Sequence, residues 1–350
     1  MTTPRSILIL GGTSWLGGTM ARLAHESGFQ VTCLARGESG QVPDSVTLVR
    51  SDRWEEGAYD GVAERDWDAV FDVNWQPELV RSALCALGDR AGHWTYVSSC
   101  SVYSDDSALG ADETAATHEP WAGTGRVSLE EYAAAKVSCE AACAAVIPAD
   151  RLLVARAGLI AGYGDRSDRF GYWPGRVAAA SARDAVVLAP AMDSPVQVID
   201  VEDLAGWLIS AAETGTAGVM NAVGEAVTFG DVASECATAT KRDPSWAVAG
   251  SEWLLEHGVE SWAGPESLPL WLPMPEDVGH MARSNELAKQ AGLGLRPLAR
   301  TVQSALTWER QVGLNRSPRK AGLSRERERE LIRTLLGEVA GPHAGQPTSR

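Results

Sequence analysis

The stretch at residues 7–18, reading ILILGGTSWLGG, constrains the fold more than any other part of the chain. Four apolar residues suited to a strand run straight into a glycine turn and then into a segment that can continue as a helix. An unbroken apolar run suits a strand covered on both faces, as in a parallel sheet. Without Cβ atoms, Gly11, Gly12 and Gly17 let the backbone turn sharply and come close to a ligand. The following helix aims its unpaired N–H groups and positive dipole end at that ligand, and phosphate suits the position. The spacing departs from the simplest glycine fingerprint, with Ser14 where a middle glycine is common. Gly11, Gly12, Thr13, Ser14, Trp15, Leu16 and Gly17 thus form a candidate pyrophosphate cradle, with a ligand-free tight turn as the competing reading.

The next segments repeat the theme. Residues 16–25 read as a helix ending near Gly28, and 30–34 as the second strand. In a strand–helix–strand unit the end of that second strand lies over an adenosine ribose, where a carboxylate binds the 2′-OH of NAD and an arginine accommodates the 2′-phosphate of NADP. Here the strand runs into Arg36 with no carboxylate, and a guanidinium fork suits phosphate. NADP is therefore expected over NAD, with a plain surface arginine as the alternative. Residues 46–49 read as a third strand followed by Asp52 and Arg53, both candidate cofactor contacts, where the acid either meets an adenine amino group or caps the next turn. Residues 68–73 read as a fourth strand leading to Asn74 and Trp75, 77–87 as a helix, and 93–97 as a fifth strand leading to Ser98, Ser99, Cys100 and Ser101. This alternation predicts an α/β fold: a doubly wound parallel sheet with helices on both faces. Ligands on such sheets gather at the carboxyl ends of the strands. Gly11, Arg36, Asp52, Asn74 and Ser99 all fall at such ends.

A polar stretch at 105–125 reads as loop. Ser128, with Glu131 three residues on, forms a capping-box pattern for a helix running to about residue 146. On it Tyr132 and Lys136 lie one turn apart on one face, and Cys139 and Cys143 continue the stripe as small packing residues. A free tyrosine, with a pKa near 10, holds its proton too tightly to be a good acid or base at neutral pH. A cation one turn away favours the phenolate, so Tyr132 could give a proton to a carbonyl oxygen or take one from an alcohol. Ser99, at a neighbouring strand end, is the candidate to orient that oxygen.

Charge narrows the function classes. With 46 acidic against 31 basic residues the chain carries a net charge of −15, which disfavours binding to a nucleic-acid backbone. Its six cysteines form no CxxC pair and no cluster with histidine at metal-ligand spacing, so no metal is expected and a reduced, cytoplasmic setting is the simplest account. The first residues lack the pattern of a signal peptide, and no apolar run is long enough for a membrane span.

Taken in order, these motifs resemble the extended short-chain dehydrogenase/reductase family, which includes the NAD-dependent epimerase/dehydratase group. The resemblance covers roughly residues 6–308. It rests on LGGTSWLG at 10–17, YVSSCSVY at 96–103, YAAAK at 132–136, ARAGLIAGYGD at 155–165 and VIDVEDLA at 198–205. It implies a Rossmann domain over about 1–165 and a smaller, mainly carboxy-terminal substrate domain over 166–340, with 196–225 returning to the Rossmann domain. It further implies a catalytic set of Ser99, Tyr132 and Lys136, with Lys136 also holding the nicotinamide ribose, Ala157 on the loop passing the nicotinamide, and a homodimer packed through the YxxxK helix.

Departures from the family pattern narrow the reaction. The dehydratases carry an Asp-Glu pair where this chain has Cys100 and Ser101, which disfavours elimination by that route. Cys100 reads as a pocket-lining thiol rather than a nucleophile, because no base accompanies it. Relatives that bind nucleotide sugars place an arginine before the VIDVEDLA segment to clamp the pyrophosphate, and here Val196 stands there; Arg176 or Arg183 could substitute. Ala157 and Tyr163 replace usual prolines. Cys100 and Ser101, the stretch 165–176 with Trp173 and Arg176, and the segment around Gln197 are expected substrate contacts. Trp246, Trp253, Trp262 and Trp271 either line a pocket or fill a small core. Ser324 is expected to cap a final helix, with Glu326–Arg329 and Glu330–Arg333 at pairing distance, and residues 341–350 to be disordered. The resulting expectation is an NADP-dependent oxidoreductase acting on a carbonyl or alcohol of a small organic molecule. An epimerase working by transient oxidation, or a non-catalytic NADP-binding regulator, are the alternatives.

Overall fold

The computed structural model describes residues 5–180 and 185–340; Arg183 and the expected disordered tail lie outside them. The chain divides into two units, the first comprising Met1–Ile160, Gln197–Ala226 and Gly279–Arg296 and the second Ala161–Val196, Val227–Val278 and Pro297–Arg350.

The first unit is built on a seven-stranded sheet. Its strands are β1 (Ser6–Leu10), β2 (Gln30–Ala35), β3 (Thr47–Arg50), β4 (Trp67–Asp72), β5 (Ala91–Ser99), β6 (Leu152–Ala157) and a last strand, Gly218–Ala222. They stand in the order β3-β2-β1-β4-β5-β6-(218–222), with every neighbouring pair parallel. This is the doubly wound dinucleotide-fold order extended by one strand. Side chains alternate between the faces of a strand, and β1 shows the effect. Ile7 and Ile9 enter the core with Met20 and Ala24 of helix α1 (Trp15–Glu26) and with Leu204 and Leu208 of the helix Val201–Thr214. Leu8 and Leu10 enter the opposite core with Val80 and Leu84 of α2 (Pro77–Leu87) and Cys139 and Cys143 of α3 (Tyr132–Val146). Both cysteines are fully buried, as their place in the helical stripe suggests. Because both faces of β1 are covered, apolar residues occupy every inner position of the strand, which explains the unbroken run in the sequence.

The expected capping box at Ser128 is not formed. Ser128 makes no side-chain cap; a turn of 3-10 helix, Leu129–Glu131, precedes α3, and the Glu131 carboxylate instead accepts the Trp121 indole N–H at 3.0 Å. Trp121 N also donates to Ala134 O at 3.0 Å, and Ser138 Oγ donates to Trp121 O at 2.7 Å. Trp121 thus ties the 105–125 loop to the start of α3, without replacing the N–H acceptors that the box would have given.

In the second unit, the helix Tyr172–Ala178 begins beside an aromatic cluster. The Trp173 ring meets Tyr172, Phe229 and Trp246 at centroid distances of 5.0, 4.5 and 6.5 Å. Trp271 is buried, with its N–H on Ser251 Oγ at 3.1 Å. Of the four late tryptophans, Trp246 and Trp271 are therefore packing residues of this unit, while half-buried Trp253 stacks on His257 and half-buried Trp262 lies under Arg169. The strands Val186–Ala189 and Ser245–Val248 pair in parallel. Ser324 Oγ accepts from Arg327 N at 3.2 Å at the start of the last helix, Arg325–Ala340. Along that helix Arg325 pairs with Glu328 and Arg327 with Glu330.

The fold also buries a histidine at the edge of the sheet remote from the glycine turn. His93 of β5 donates from Nε2 to Thr216 O at 2.8 Å, with Nδ1 facing Thr95 Oγ1 at 3.3 Å. Burial lowers its pKa, outweighing the backbone hydrogen bond that opposes the shift. The unfolded chain, with an ordinary histidine pKa near 6.5, therefore takes up a proton that the folded chain resists, and stability falls as pH drops below that value. Urea unfolding at pH 5 and 7.5 is expected to show this loss in the native protein and a smaller loss in His93→Gln. An equal acid sensitivity in the two proteins would exclude His93 as a source.

Candidate functional site

The glycine turn joins β1 to α1 with almost no space between backbone segments. Gly11 has φ of +95°, a conformation that side-chain-bearing residues rarely adopt. A Cβ on Gly12 would sit 2.2 Å from Cys33 Sγ, and one on Gly17 would sit 2.4 Å from Gly11 O. The helix can start against the strand end only because these Cβ atoms are missing. Ser14, an apparent defect in the fingerprint, is the N-cap of α1: its side chain accepts from Gly17 N at 3.2 Å. Thr13 and Leu16 are buried and Trp15 is half-buried. The arrangement leaves a helix amino terminus at the carboxyl edge of a parallel sheet, which fits a pyrophosphate.

The neighbouring strand ends supply two exposed cations. Arg36 follows β2 and pairs with Glu38 at 3.3 Å. Arg50, the last residue of β3, lies opposite Ala35 in register and donates from Nη1 to Arg36 O at 3.4 Å. The sequence reading missed Arg50; the signal for it is the parallel register, which sets the last residue of β3 beside the end of β2. Asp52 is half-buried, and its side chain accepts from Trp54 N at 3.0 Å, the capping use that the sequence left open.

Arg53 requires a correction. Its guanidinium does not point toward a cofactor: it makes two 2.8 Å bonds to Asp72 at the end of β4 and further bonds to Tyr59 Oη and Leu79 O. Asp72 is fully buried and Arg53 nearly so, and an unpaired charge in that place would be costly. The pair fastens the segment after β3 to the strand end that carries Asn74.

Asn74 and Trp75 lead into the proton-handling group. Asn74 Oδ1 accepts from Gln76 N at 2.8 Å, and the Gln76 amide clasps Val127 through both its N–H and its carbonyl. Asn74 O accepts from Tyr96 Oη at 3.0 Å and from Lys136 Nζ at 3.2 Å. Lys136 also donates to Val97 O at 2.6 Å, so its buried ammonium bridges the ends of β4 and β5, two residues from Ser99. Tyr132, one turn earlier on α3, is half-buried, with its ring 5.4 Å from that of Trp75 and 6.0 Å from Lys136 Nζ. Ser99 is half-buried; its Oγ accepts from Ser101 N and reaches Ser101 Oγ, both at 3.1 Å. Ala157 stands opposite Ser99 in the β5–β6 register and is buried.

A fifth member of the α3 stripe escaped the sequence reading. Glu140, four residues beyond Lys136, accepts two bonds from Arg156 of β6, at 3.1 and 2.8 Å, and one from Ser98 Oγ at 2.5 Å. Its i+8 spacing from Tyr132 was the available signal. The pair locks α3 to the two strands it crosses.

The residues offered as substrate contacts divide. Ser101 is half-buried beside Ser99. Cys100 turns inward, its thiol donating to Arg156 O at 3.3 Å, and burial pushes its pKa up to about 12, which excludes thiolate chemistry at neutral pH. Three others need correction. Gln197 clasps the first unit, donating to Gly224 O and Arg283 O and accepting from Arg283 N. Trp173 is buried in the aromatic cluster with its N–H on Pro269 O at 3.0 Å. Arg176 is buried against Glu328, 2.6 Å away. In Gln197 and Trp173 internal bonds engage the polar atoms that a substrate was expected to meet, and in Arg176 they engage Nε and Nη2. Among the described residues no group of three His, Cys, Asp or Glu side chains could hold a metal ion, and no helix is long and apolar enough to cross a membrane.

No protein-family model and no curated protein matches the chain. Solved structures do. A candidate epimerase from Burkholderia cenocepacia J2315 is 20% identical with a TM-score of 0.67, the match covering 88% of this chain and 99% of that one. UDP-glucuronic acid 4-epimerase from Bacillus cereus, in complex with NAD, is 13% identical with a TM-score of 0.62 and the same coverage. UDP-glucose 4-epimerase from Thermus thermophilus, also in complex with NAD, is 15% identical with a TM-score of 0.58, covering 88% of this chain and 100% of that one. At such identities the likeness is one of fold: the chain has the Rossmann-type fold of the NAD-dependent epimerases.

The Arg53–Asp72 pair can be separated experimentally from the cofactor reading. Arg53→Met leaves a buried carboxylate alone and is expected to cost about 3–5 kcal/mol of stability, measured by urea unfolding. A variant that stays fully stable and loses only dinucleotide affinity would return Arg53 to the binding site.

Proposed function

We propose that this chain is a nicotinamide-dependent oxidoreductase that acts on a carbonyl or alcohol carbon, with Tyr132 handling the proton. The observation that carries the reading is the placement of Lys136, whose ammonium is fixed on Val97 O and Asn74 O between Tyr132 and the strand end bearing Ser99. The glycine turn fits the pyrophosphate of a dinucleotide. A bound nicotinamide supplies or accepts the hydride.

The chain's own groups do the rest. Ser99 Oγ, now shared with Ser101, can turn its hydrogen toward the substrate oxygen and hold it. Tyr132 Oη gives that oxygen a proton during reduction and takes one from it during oxidation. The Lys136 cation stabilises the phenolate that results. It cannot drift from this position, because two backbone carbonyls hold it and the Tyr96 ring lies 4.8 Å away. Cys100, turned inward, takes no part.

The substrate is a small molecule without a nucleotide diphosphate. Val196, apolar and fully buried, stands where a pyrophosphate clamp is expected. The similarity to UDP-sugar epimerases supports a second reading, in which the same three residues would handle the proton while a nicotinamide, when bound, would take a hydride from a carbon and return it to the other face. The two readings differ in a simple measurement. A reductase consumes free reduced cofactor stoichiometrically, whereas an epimerase carries tightly held cofactor through purification and turns over with no net change in nicotinamide absorbance.

For the cofactor, Arg36 and Arg50 at the ends of β2 and β3 favour the 2′-phosphate of NADP, while two of the similar structures were determined with NAD. Arg36→Ala is expected to raise KM for NADPH about tenfold, equivalent to ~1.4 kcal/mol, and to leave that for NADH unchanged. Equal effects on both cofactors would remove Arg36 from phosphate recognition. Tyr132→Phe is expected to reduce kcat by about 10²–10⁴-fold while cofactor affinity, followed by nicotinamide fluorescence, stays near that of the native protein. Undiminished turnover in this variant would overturn the assignment.

A further inference from the structure

The second unit contains a cavity of about 340 Å³ that the proposed reaction does not use. Tyr172 and Arg176 of the helix Tyr172–Ala178 form one wall, Arg316 and Arg319 a second, and Ser324 and Arg325, at the start of the helix Arg325–Ala340, a third. Four arginines thus face one cavity in a chain whose net charge is −15.

Carboxylates behind the walls hold these arginines without exhausting them. Fully buried Glu309 accepts two bonds from Arg316, at 2.6 and 2.7 Å, and one from Arg319 Nη2 at 2.7 Å. Asp168 takes a further Arg316 bond and lies 3.7 Å from Arg319 Nη1. Glu328 binds Arg176 Nε at 2.6 Å and Arg325 Nη1 at 3.1 Å, and Arg176 Nη2 donates to Val186 O at 3.0 Å. Glu266 and Glu326 also line the cavity, but Glu266 is engaged with Ser324 N at 3.1 Å. Two buried donor atoms of lining residues remain: Arg176 Nη1 and Arg319 Nη1 have no hydrogen-bond partner among the described residues. The Arg176 side chain is only 4% exposed and that of Arg319 10%.

Buried donors of this kind are nearly always satisfied by some acceptor. Here they come from different segments and are joined by the positive end of a sixteen-residue helix. We propose that this cavity binds the phosphate group of a small molecule, as a second anion site separate from the glycine turn. Donors arriving from three walls suit a tetrahedral oxyanion, and guanidinium groups suit its oxygens. The cavity is larger than a bare phosphate ion, so a phosphate monoester fits it better than the inorganic ion.

The test uses the full chain, titrated with inorganic phosphate and with ribose 5-phosphate at constant ionic strength, with chloride as control, and followed by calorimetry and thermal unfolding. Saturable binding of either phosphate is expected, tighter for ribose 5-phosphate, with no effect of chloride. Arg319→Gln should abolish it. Because Arg319 also supports Glu309, Arg325→Gln serves as the milder variant and should weaken binding at least tenfold while the unfolding profile without phosphate is preserved. Both variants leave the glycine turn intact. Phosphate binding that persists unchanged in Arg325→Gln, or stabilisation that chloride reproduces, overturns the proposal.

Discussion

The candidate site depends on one buried cation. Lys136 has lost nearly all contact with water, and an ammonium in such a place is tolerated only where oxygen atoms replace its hydration. Asn74 O and Val97 O provide them. Asn74 O lies beyond the end of β4 and Val97 O one residue beyond the last β4–β5 pair, where lone pairs remain for other partners. The same bonds that hold the lysine therefore fix α3 relative to β4 and β5, and with it the distance between Tyr132 and the strand end at Ser99.

Everything nearby reinforces that register. The Gln76 amide clasps Val127, which leads into α3, and the Arg53–Asp72 pair fixes the strand end from which Asn74 emerges. One turn beyond Lys136, Glu140 grips Arg156 and Ser98. Such a shell is what a proton-transfer site requires, since its groups must lie within hydrogen-bond reach of a reacting oxygen. Sequence reading assigned Arg53 to the ligand because it follows a strand end. The structure assigns it to the support, because Asp72 is buried at the next strand end and needs a partner.

The two units place their charges differently. In the first, ion pairs brace elements around a site formed at strand ends. In the second, Asp168, Glu309 and Glu328 are buried among arginines that converge on a cavity from several segments. No motif marks that convergence: Arg176, Arg316, Arg319 and Arg325 read along the chain as part of a basic stretch and one distant arginine.

The sequence by itself determined the parallel α/β architecture, the glycine turn and the Tyr132–Lys136 stripe. These are encoded locally, by side-chain periods of two residues on strands and about 3.6 on helices, and by the Cβ atoms that a tight turn excludes. Only the tertiary structure decided which polar residues face the site and which hold the fold together. Arg53, Trp173, Arg176 and Gln197 looked available in sequence, but each meets its partner across a long separation, such as the 152 residues between Arg176 and Glu328. A polar side chain is claimed by whichever complementary group folding brings within about 3 Å, and local pattern carries no record of that group.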